Sequence, residues 1–298
     1  MTETLEPRFR DLDLWPLRTA LDALWEGQLA AVAALGPALP ALASAAEAAA
    51  KRLREERARL CYAGAGSSAR VAVADGSELP PTYGWPESRL HFLVAGGERA
   101  LLRPVEGAED DPEAARSEVH RLGLSGADVL VAVAASGGTP YTLAAAEEAR
   151  RRGALVVGIA NAEGSPLLRA AHHPVFLPTG PEVPAGSTRM KAGTAQKAAL
   201  NLLSTAVMIR LGGVHDGMMV GMRPLNAKLR LRATGIVARI ASCTEDRAAR
   251  ALEASGGSIK AAILIAGAGL SPEEADRRLS EAGGRLREAL SPRRSGGP

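Results

Sequence analysis

One stretch of this chain constrains the fold more than any other, because it encodes a complete β-α-β unit. Residues 128–161 read DVLVAVAASGGTPYTLAAAEEARRRGALVVGIAN, which is an apolar strand, a Gly/Ser loop, an amphipathic helix, a glycine turn and a second apolar strand. Both strands are continuously apolar, which is typical of a parallel sheet covered by helices on both faces. The segment therefore predicts a parallel α/β architecture.

The rest of the chain extends this prediction. Strand character recurs in RLCYAG (59–64), RLHFLVAGG (89–97) and HPVFLPTG (173–180), and the alternation with helices predicts an α/β fold with a doubly wound parallel sheet. A long apolar helix follows, with Ser187 or Thr188 as its expected N-cap. We predict an N-terminal helical region over residues 1–57, a sheet domain over 58–230 and a small C-terminal helical subdomain over 231–298. In the last region Thr244 and Ser271 are expected to begin helices.

Composition excludes several classes of protein. The net charge of +3 is spread over helices that also carry acids, so no nucleic-acid surface is expected. Cys61 and Cys243 are far apart and belong to no Cys/His cluster, so we expect no metal and no disulfide. No uninterrupted apolar run reaches the ~18 residues of a membrane span. With a polar N-terminus that is unlike a signal peptide, these features predict a cytoplasmic protein without a membrane partner.

Two glycine loops resemble each other in chemistry and in position. Gly64-Ala65-Gly66-Ser67-Ser68-Ala69 and Ser136-Gly137-Gly138-Thr139 each connect a strand to a helix. The first loop fits a loose dinucleotide fingerprint, but the acid expected at the end of the next strand is missing. Taken together, the loops place hydroxyls at two helix N-termini, which predicts a pocket for a small phosphorylated ligand. The alternative is that each Ser or Thr is only a helix cap.

Two acidic segments could supply general acid and general base groups. Glu78 lies in DGSELPPTYGWP, where two prolines restrict the backbone and where neither helix nor strand formation requires an acid. Glu109 lies in PVEGAEDDPEAA, which on its own also fits a solvated acidic turn or the first turn of a helix. Two carboxyl groups near a phosphosugar can divide acid and base work if their environments separate their pKa values.

These segments together resemble one family. YAGAGSSARVAVADGSELPPTYGW, VEGAEDD, VAASGGTPY, GPEVPAGSTRMKAGTAQKAALNLLSTAVMIRLGGV and NAKLRLRA are similar to the N-acetylmuramic acid 6-phosphate etherases. These are lyases built on the sugar isomerase (SIS) fold. The resemblance runs from about residue 58 to the C-terminus, whereas the first fifty residues look unlike the usual family N-terminus.

The resemblance implies a reaction and a set of residues. It implies elimination of lactate from C3 of an open-chain sugar phosphate and then hydration, without a metal or organic cofactor. Glu78 matches the family's acid for the departing lactate, and Glu109 matches its base for the C2 proton. The ligand-binding residues implied are Gly66, Ser67, Ser68, Ser136, Gly137, Thr139, Ser187 and Lys191. A homodimer is implied as well.

Some positions depart from the family pattern. Gly138 stands where the family usually has Arg, and Gly221 and Leu225 stand where Asp and Thr are common. A changed substrate or a loss of catalysis would explain such changes. One alternative function is therefore a non-catalytic phosphosugar-sensing regulator that binds another protein, and a second is an aldose–ketose isomerase on the same fold.

Overall fold

The computed structural model describes residues 4–291 and contains a five-stranded parallel sheet within them. The strand order is β2-β1-β3-β4-β5, and every neighbouring pair is parallel. The predicted doubly wound parallel sheet is confirmed. Its strands are β1 (Leu60–Gly64), β2 (Leu90–Val94), β3 (Val129–Ala134), β4 (Leu155–Ala160) and β5 (His173–Phe176).

Fourteen α-helices accompany the strands within the described chain. The first nine are α1 (Leu17–Ala33), α2 (Leu39–Leu53), α3 (Gly66–Gly76), α4 (Leu79–Tyr83), α5 (Arg99–Leu102), α6 (Pro112–Leu122), α7 (Pro140–Arg151), α8 (Pro166–Ala170) and α9 (Lys191–Arg210). After a two-stranded antiparallel ribbon, β6 (Val214–His215) and β7 (Met218–Met219), come α10 (Ala227–Ala241), α11 (Glu245–Ala254), α12 (Ile259–Ala268), α13 (Pro272–Glu281) and α14 (Leu286–Leu290).

The sheet core is built mainly from small and branched aliphatic side chains. Every residue of β1, β3 and β4 is buried. One face of the sheet, carrying Cys61 and Leu130, packs with Ala145 and Ala149 of α7. Helix α2 packs against β3, β4 and β5. Burial on both faces explains why these strands read as continuous apolar runs rather than as alternating ones.

The chain divides into two compact units. The sheet unit comprises the described chain up to Ser77 together with Glu87–Val207, and the helical unit comprises Glu78–Pro86 together with the chain from Met208 onward. One boundary thus falls within α9. The division differs from the three regions expected from the sequence, whose role as domains remains a prediction. In the helical unit Thr244 caps α11, and Ser271 forms a capping box with Glu274 at α13, as expected.

The N-terminal helices are more apolar than the sequence prediction allowed. The helical stretch Leu17–Leu53 is long and apolar enough to pass the length and composition test for a membrane span. The expectation that no such stretch exists is therefore wrong. The core helix of a soluble protein and a signal sequence pass the same test, and one third of the apolar window is buried.

Candidate functional site

A cavity of about 560 Å³ lies beside the carboxyl ends of β1 and β3 in the sheet unit. These strands are neighbours in the sheet, and the strand order reverses at this point. Open α/β sheets bind ligands at such a switch point. The cavity is lined by Ala65, Gly66, Ser67, Ser68, Glu109, Asp110, Ala135, Ser136, Gly138, Thr139, Pro140, Gly186 and Thr188.

The first glycine loop turns tightly from β1 into α3. A Cβ atom on Gly64 would lie 3.0 Å from the Ala69 nitrogen and 3.2 Å from the Val133 carbonyl oxygen, so the helix starts almost against the sheet. Gly66 has a φ of +53°, a conformation that favours glycine. This close turn brings Ser67 and Ser68 to the cavity wall.

The second loop is constrained even more strongly. Gly137 has a φ of +62°, and a Cβ atom there would lie 2.1 Å from the Ser165 hydroxyl oxygen. Only glycine fits this position without a shift of the loop. The Gly138 N–H donates to the Ser136 hydroxyl at 3.2 Å, and Thr139 completes the loop at the start of α7.

The helices that start at the cavity have no side-chain caps within the described chain. Ala65 holds the N-cap position of α3 and Thr139 that of α7, and neither helix receives a side-chain cap hydrogen bond. Thr139 thus occupies a cap position, as the alternative interpretation expects, but the loop hydroxyls make no cap hydrogen bond there. Free N–H groups at two helix N-termini, together with serine and threonine hydroxyls, form an environment that suits an anion such as phosphate.

The second acidic segment contributes directly to the cavity wall. Glu109 and Asp110 belong to a short 3-10 helix, Ala108–Asp110, which follows Gly107 at a φ of +70°. Both side chains are exposed and line the cavity. Asp111 instead accepts a hydrogen bond from the Ala114 N–H at 3.0 Å and caps α6. The acidic run is thus divided between one helix cap and two carboxylates at the cavity.

Glu78 belongs to the helical unit. It holds the N-cap position of α4, and its carbonyl oxygen accepts from the Thr82 N–H at 3.1 Å. Its side chain is exposed and makes no cap hydrogen bond in the part of the chain that is described. The helix therefore does not use the Glu78 carboxylate as a hydrogen-bonding cap, although an acid is electrostatically favourable at a helix N-terminus.

Three other predicted binding residues have different surroundings. Gly137 is buried inside its loop, and Ser187 lies between two residues of the cavity wall, Gly186 and Thr188. Lys191 is buried, and its ammonium group donates to the Pro181 carbonyl oxygen at 2.8 Å. Whether these three residues bind a ligand remains a prediction, as do the roles of the residues that line the cavity.

The start of α9 differs from the sequence prediction. The helix begins at Lys191, so neither Ser187 nor Thr188 is its N-cap. The fully buried carboxylate of Glu182 accepts hydrogen bonds from the N–H groups of Lys191 and Ala192 at 2.8 and 2.9 Å. Glu182 precedes the helix by nine residues, and therefore the local capping pattern did not reveal it.

Sequence reasoning also missed a buried carboxylate in the sheet unit. Asp75, at the end of α3, is 2% exposed and accepts hydrogen bonds from Asn201 at 2.6 Å, Tyr62 at 3.1 Å and Ser204 at 3.2 Å. Burial raises the pKa of this carboxyl, although the hydrogen bonds and Lys197 act in the opposite direction. Asn201 and Ser204 are one helical turn apart on α9, which was the available sequence signal. The network holds α3 against α9.

Two of the departures from the family pattern have a structural setting. Gly138 is exposed on the cavity wall, and a Cβ atom there would meet only the Ser136 hydroxyl, at 4.0 Å. The wall therefore has room for a larger side chain at Gly138. In the helical unit, a Cβ atom on Gly221 would lie 2.4 Å from the Tyr83 carbonyl oxygen, so this backbone does not accept Asp there.

The helical unit contains a cavity of about 1170 Å³, and its wall includes Gly221 and Leu225 together with Arg223, Arg230 and Lys260. Within residues 4–291 no group of three or more His, Cys, Asp or Glu side chains is arranged to hold a metal ion.

Two family models match parts of this chain, and both describe SIS domains. A model described as the glucokinase regulatory protein N-terminal SIS domain matches residues 41–149, and the SIS domain model matches residues 112–206. Among solved structures, a phosphoheptose isomerase from Francisella tularensis is 20% identical, with a TM-score of 0.48 over 66% of this chain and 98% of that one. Likeness at this level says nothing about a ligand or an activity.

Curated relatives are much more similar. An N-acetylmuramic acid 6-phosphate etherase from Deinococcus radiodurans is 48% identical over 289 residues, covering 97% of this chain and 94% of the relative. One from Streptomyces coelicolor is 44% identical over 97% of this chain and 93% of the relative. The likeness therefore extends into the N-terminal helices, and the expectation that it begins near residue 58 is wrong. The chain belongs to the N-acetylmuramic acid 6-phosphate etherase family.

Proposed function

We propose that this protein is a carbon–oxygen lyase that cleaves the C3 lactyl ether of N-acetylmuramic acid 6-phosphate. The products are N-acetylglucosamine 6-phosphate and D-lactate. One observation carries the proposal beyond family membership: two helices without side-chain caps, flanked by Ser and Thr hydroxyls, begin at a cavity that also contains Glu109. Anion-binding groups and a carboxylate in one cavity are what a phosphosugar lyase requires.

Binding is assigned to the two loops. The phosphate and sugar hydroxyls accept hydrogen bonds from the first-turn N–H groups of α3 and α7 and from Ser67, Ser68, Ser136 and Thr139. Gly66 and Gly137 give the loops their backbone shape, since both have positive φ. Ser187 is the neighbour of two wall residues and is assigned a supporting contact. For Lys191, a direct contact would require its ammonium group to leave the Pro181 carbonyl oxygen.

The chemistry is assigned to two glutamates. Opening of the sugar ring gives an aldehyde, which acidifies the proton on C2. Glu109 removes this proton, the electron pair forms the C2–C3 double bond, and the C3–oxygen bond breaks. Glu78 gives a proton to the departing lactate oxygen, and water then adds across the double bond, with its hydroxyl on C3 and a proton returned to C2. General acid help to such a poor leaving group is typically worth ~10²–10⁴ in rate.

The same proposal includes the assembly, location and partners of the enzyme. The enzyme functions as a cytoplasmic homodimer in cell-wall recycling, with no cofactor, no nucleic acid and no membrane among its partners. The homodimer is tested by the mass of the protein in solution at micromolar concentration. A monomeric mass with full activity would contradict it.

The experiment that tests the activity separates the two proton transfers. Glu78→Gln should reduce lactate release by at least ~10²-fold, while exchange of the C2 proton in heavy water survives because the base is intact. Glu109→Gln should abolish both exchange and release. Lactate is measured enzymatically, and exchange is measured by NMR of recovered sugar phosphate.

Matched controls exist for both substitutions. Glu87→Gln and Glu106→Gln each change an exposed glutamate that is close in sequence to Glu78 or to Glu109, and both should leave the two rates unchanged. Full lactate release by a folded Glu78→Gln protein would overturn the assignment of the acid. Binding of N-acetylmuramic acid 6-phosphate without any lactate release by the unaltered protein would favour the regulator, and Gly138 would then be the first position to change.

A further inference from the structure

Helix α1 buries its small residues and exposes its large apolar residues, which is the reverse of the usual arrangement. Its small residues Ala23, Gly27 and Ala31 are buried, and a Cβ atom on Gly27 would lie 2.9 Å from Val183. The opposite face carries large apolar side chains that are 51% to 75% exposed. We call these five residues the α1 stripe: Leu17, Leu21, Trp25, Leu29 and Val32. An amphipathic helix normally buries its large apolar residues, so folding of a single chain does not account for this face.

The α1 stripe is nearly symmetric about Trp25. This residue lies at the middle of α1, eight residues from each end. Leu21 and Leu29 are each four residues from it, and Leu17 and Val32 are eight and seven residues away. A two-fold axis through Trp25 would therefore bring Leu21 of one copy against Leu29 of another. A two-fold interface needs a surface complementary to itself, and this pattern provides one.

The area of the stripe is sufficient for the central part of an interface. With Leu14, which precedes α1 and is 78% exposed, the apolar face presents on the order of 600 Å². A standard interface buries about 800 Å² on each partner. The apolar centre is adjoined by an exposed ion pair, Arg18 with Asp22 at 3.1 Å. An apolar centre beside charged residues is the usual anatomy of a protein–protein interface.

The charges of α1 favour a second protein chain over a lipid surface. Helices that lie on membranes usually carry a basic polar face, which is attracted to anionic lipids. In α1 the charged residues are Arg18, Asp22 and Glu26, so acids outnumber bases. This helix lacks the electrostatic attraction that membrane binding uses.

We propose that the α1 stripe is the two-fold interface of the homodimer, formed by antiparallel pairing of α1 from two copies with Trp25 on the axis. The inference rests on the dimer proposed above. Tryptophan in the centre of an interface is the residue type that most often dominates binding energy. Helices that pack in this way approach to about 8–10 Å between axes.

The test compares Trp25→Glu with Leu102→Glu in the full chain. Leu102 is 90% exposed and does not belong to the stripe, so it serves as the matched control. Trp25→Glu places two like charges at the axis and should raise the dimer dissociation constant by at least about 30-fold. Leu102→Glu should leave the constant unchanged. The mass is measured by sedimentation, and circular dichroism verifies the fold.

Each outcome decides a different point. If the unaltered protein and Trp25→Glu are both dimers, the α1 interface is wrong and the dimer stands. If the unaltered protein is a monomer, both are wrong, while the lyase proposal is untouched. Flotation of the unaltered protein, but not of Trp25→Glu, with phosphatidylcholine and phosphatidylglycerol vesicles would make the stripe a membrane surface and overturn the proposal.

A second measurement covers the case in which Trp25→Glu does not fold. Trp25→Cys in a Cys243→Ser background should form a covalent dimer on mild oxidation, because two copies of residue 25 face each other across the axis. The remaining native thiol, Cys61, is buried. Leu102→Cys in the same background should stay uncrosslinked. Equal crosslinking of both variants, or crosslinking of neither, would overturn the proposal.

Discussion

The two ends of strands β1 and β3 differ sharply in how their polar groups are satisfied. At the amino ends, Arg59 donates to Asp128 at 3.0 and 2.8 Å and to the carbonyl oxygens of Leu122 and Gly123 at 2.6 and 2.9 Å. Asp128 also accepts from the Ser125 N–H at 2.8 Å. At the carboxyl ends, the N-termini of α3 and α7 lack side-chain caps among the described residues.

The difference shows where stability and function are located in the sheet unit. At the amino ends, the charged side chains of Arg59 and Asp128 find their hydrogen-bond partners within the protein. At the carboxyl ends, N–H groups and hydroxyls face a cavity, so a ligand can complete their hydrogen bonding. Substitutions at the amino ends should therefore change folding, and substitutions at the carboxyl ends should change binding and rate.

The largest effect is expected at the carboxyl ends. Ser136→Ala combined with Thr139→Ala removes two hydroxyls expected to hydrogen-bond a charged group, each worth ~1.5–3 kcal/mol, and kcat/KM should fall by about 10³-fold. The free energy of unfolding should change by less than ~0.5 kcal/mol. Ser77→Ala, at an exposed serine after α3, is the control. A large loss of stability with unchanged kcat/KM would show that the carboxyl ends, like the amino ends, serve stability and not binding.

The next effect is expected at the amino ends. Asp128→Asn leaves the Arg59 guanidinium largely buried without its counter-charge, and should cost about 3 kcal/mol in the free energy of unfolding. Urea denaturation measures this cost. The affinity for a hexosamine 6-phosphate, followed by thermal stabilisation, should hardly change. Loss of ligand binding in a folded Asp128→Asn protein would show that the two ends are coupled.

A smaller effect concerns the stability that Asp128 contributes and that is lost at acidic pH. Burial alone would raise the pKa of Asp128, but hydrogen bonds from Arg59 and Ser125 outweigh it and hold the pKa below its usual value. The carboxylate therefore contributes stability that is present above the ordinary Asp pKa of about 3.9 and is lost as pH falls through the lower folded pKa. Denaturation of the unaltered protein and of Asp128→Asn across this range should give curves that converge on acidification. Parallel curves would contradict the shift.

The smallest effect has the opposite sign and concerns Asp75. Burial raises the pKa of this carboxyl, so its contribution to stability is present below about pH 3.9 and is lost as pH rises through the folded pKa. The stability of the unaltered protein relative to Asp75→Asn should therefore fall as pH rises over this interval. A relative rise would show that the hydrogen bonds from Tyr62, Asn201 and Ser204 outweigh burial.

The sequence by itself determined the elements and their chemistry. Continuous apolar runs predicted β1, β3 and β4, the glycine loops predicted two helix N-termini, and Thr244 and Ser271 were identified as helix caps. These features depend on hydrogen bonds and periodicity within a few residues, and are therefore encoded locally. The family, too, was identified from contiguous motifs.

Tertiary structure decided which of these features meet. The strand order places β1 beside β3, and only this adjacency brings both loops and Glu109 to one cavity. Glu182 caps α9 in place of Ser187, and Asp75 takes partners from α9, because buried carboxylates find donors wherever the fold supplies them. The exposed face of α1 was likewise undetectable in sequence. Which side of a helix packs inward depends on what the rest of the chain places against it, and here the close approach to Val183 admits only the small side.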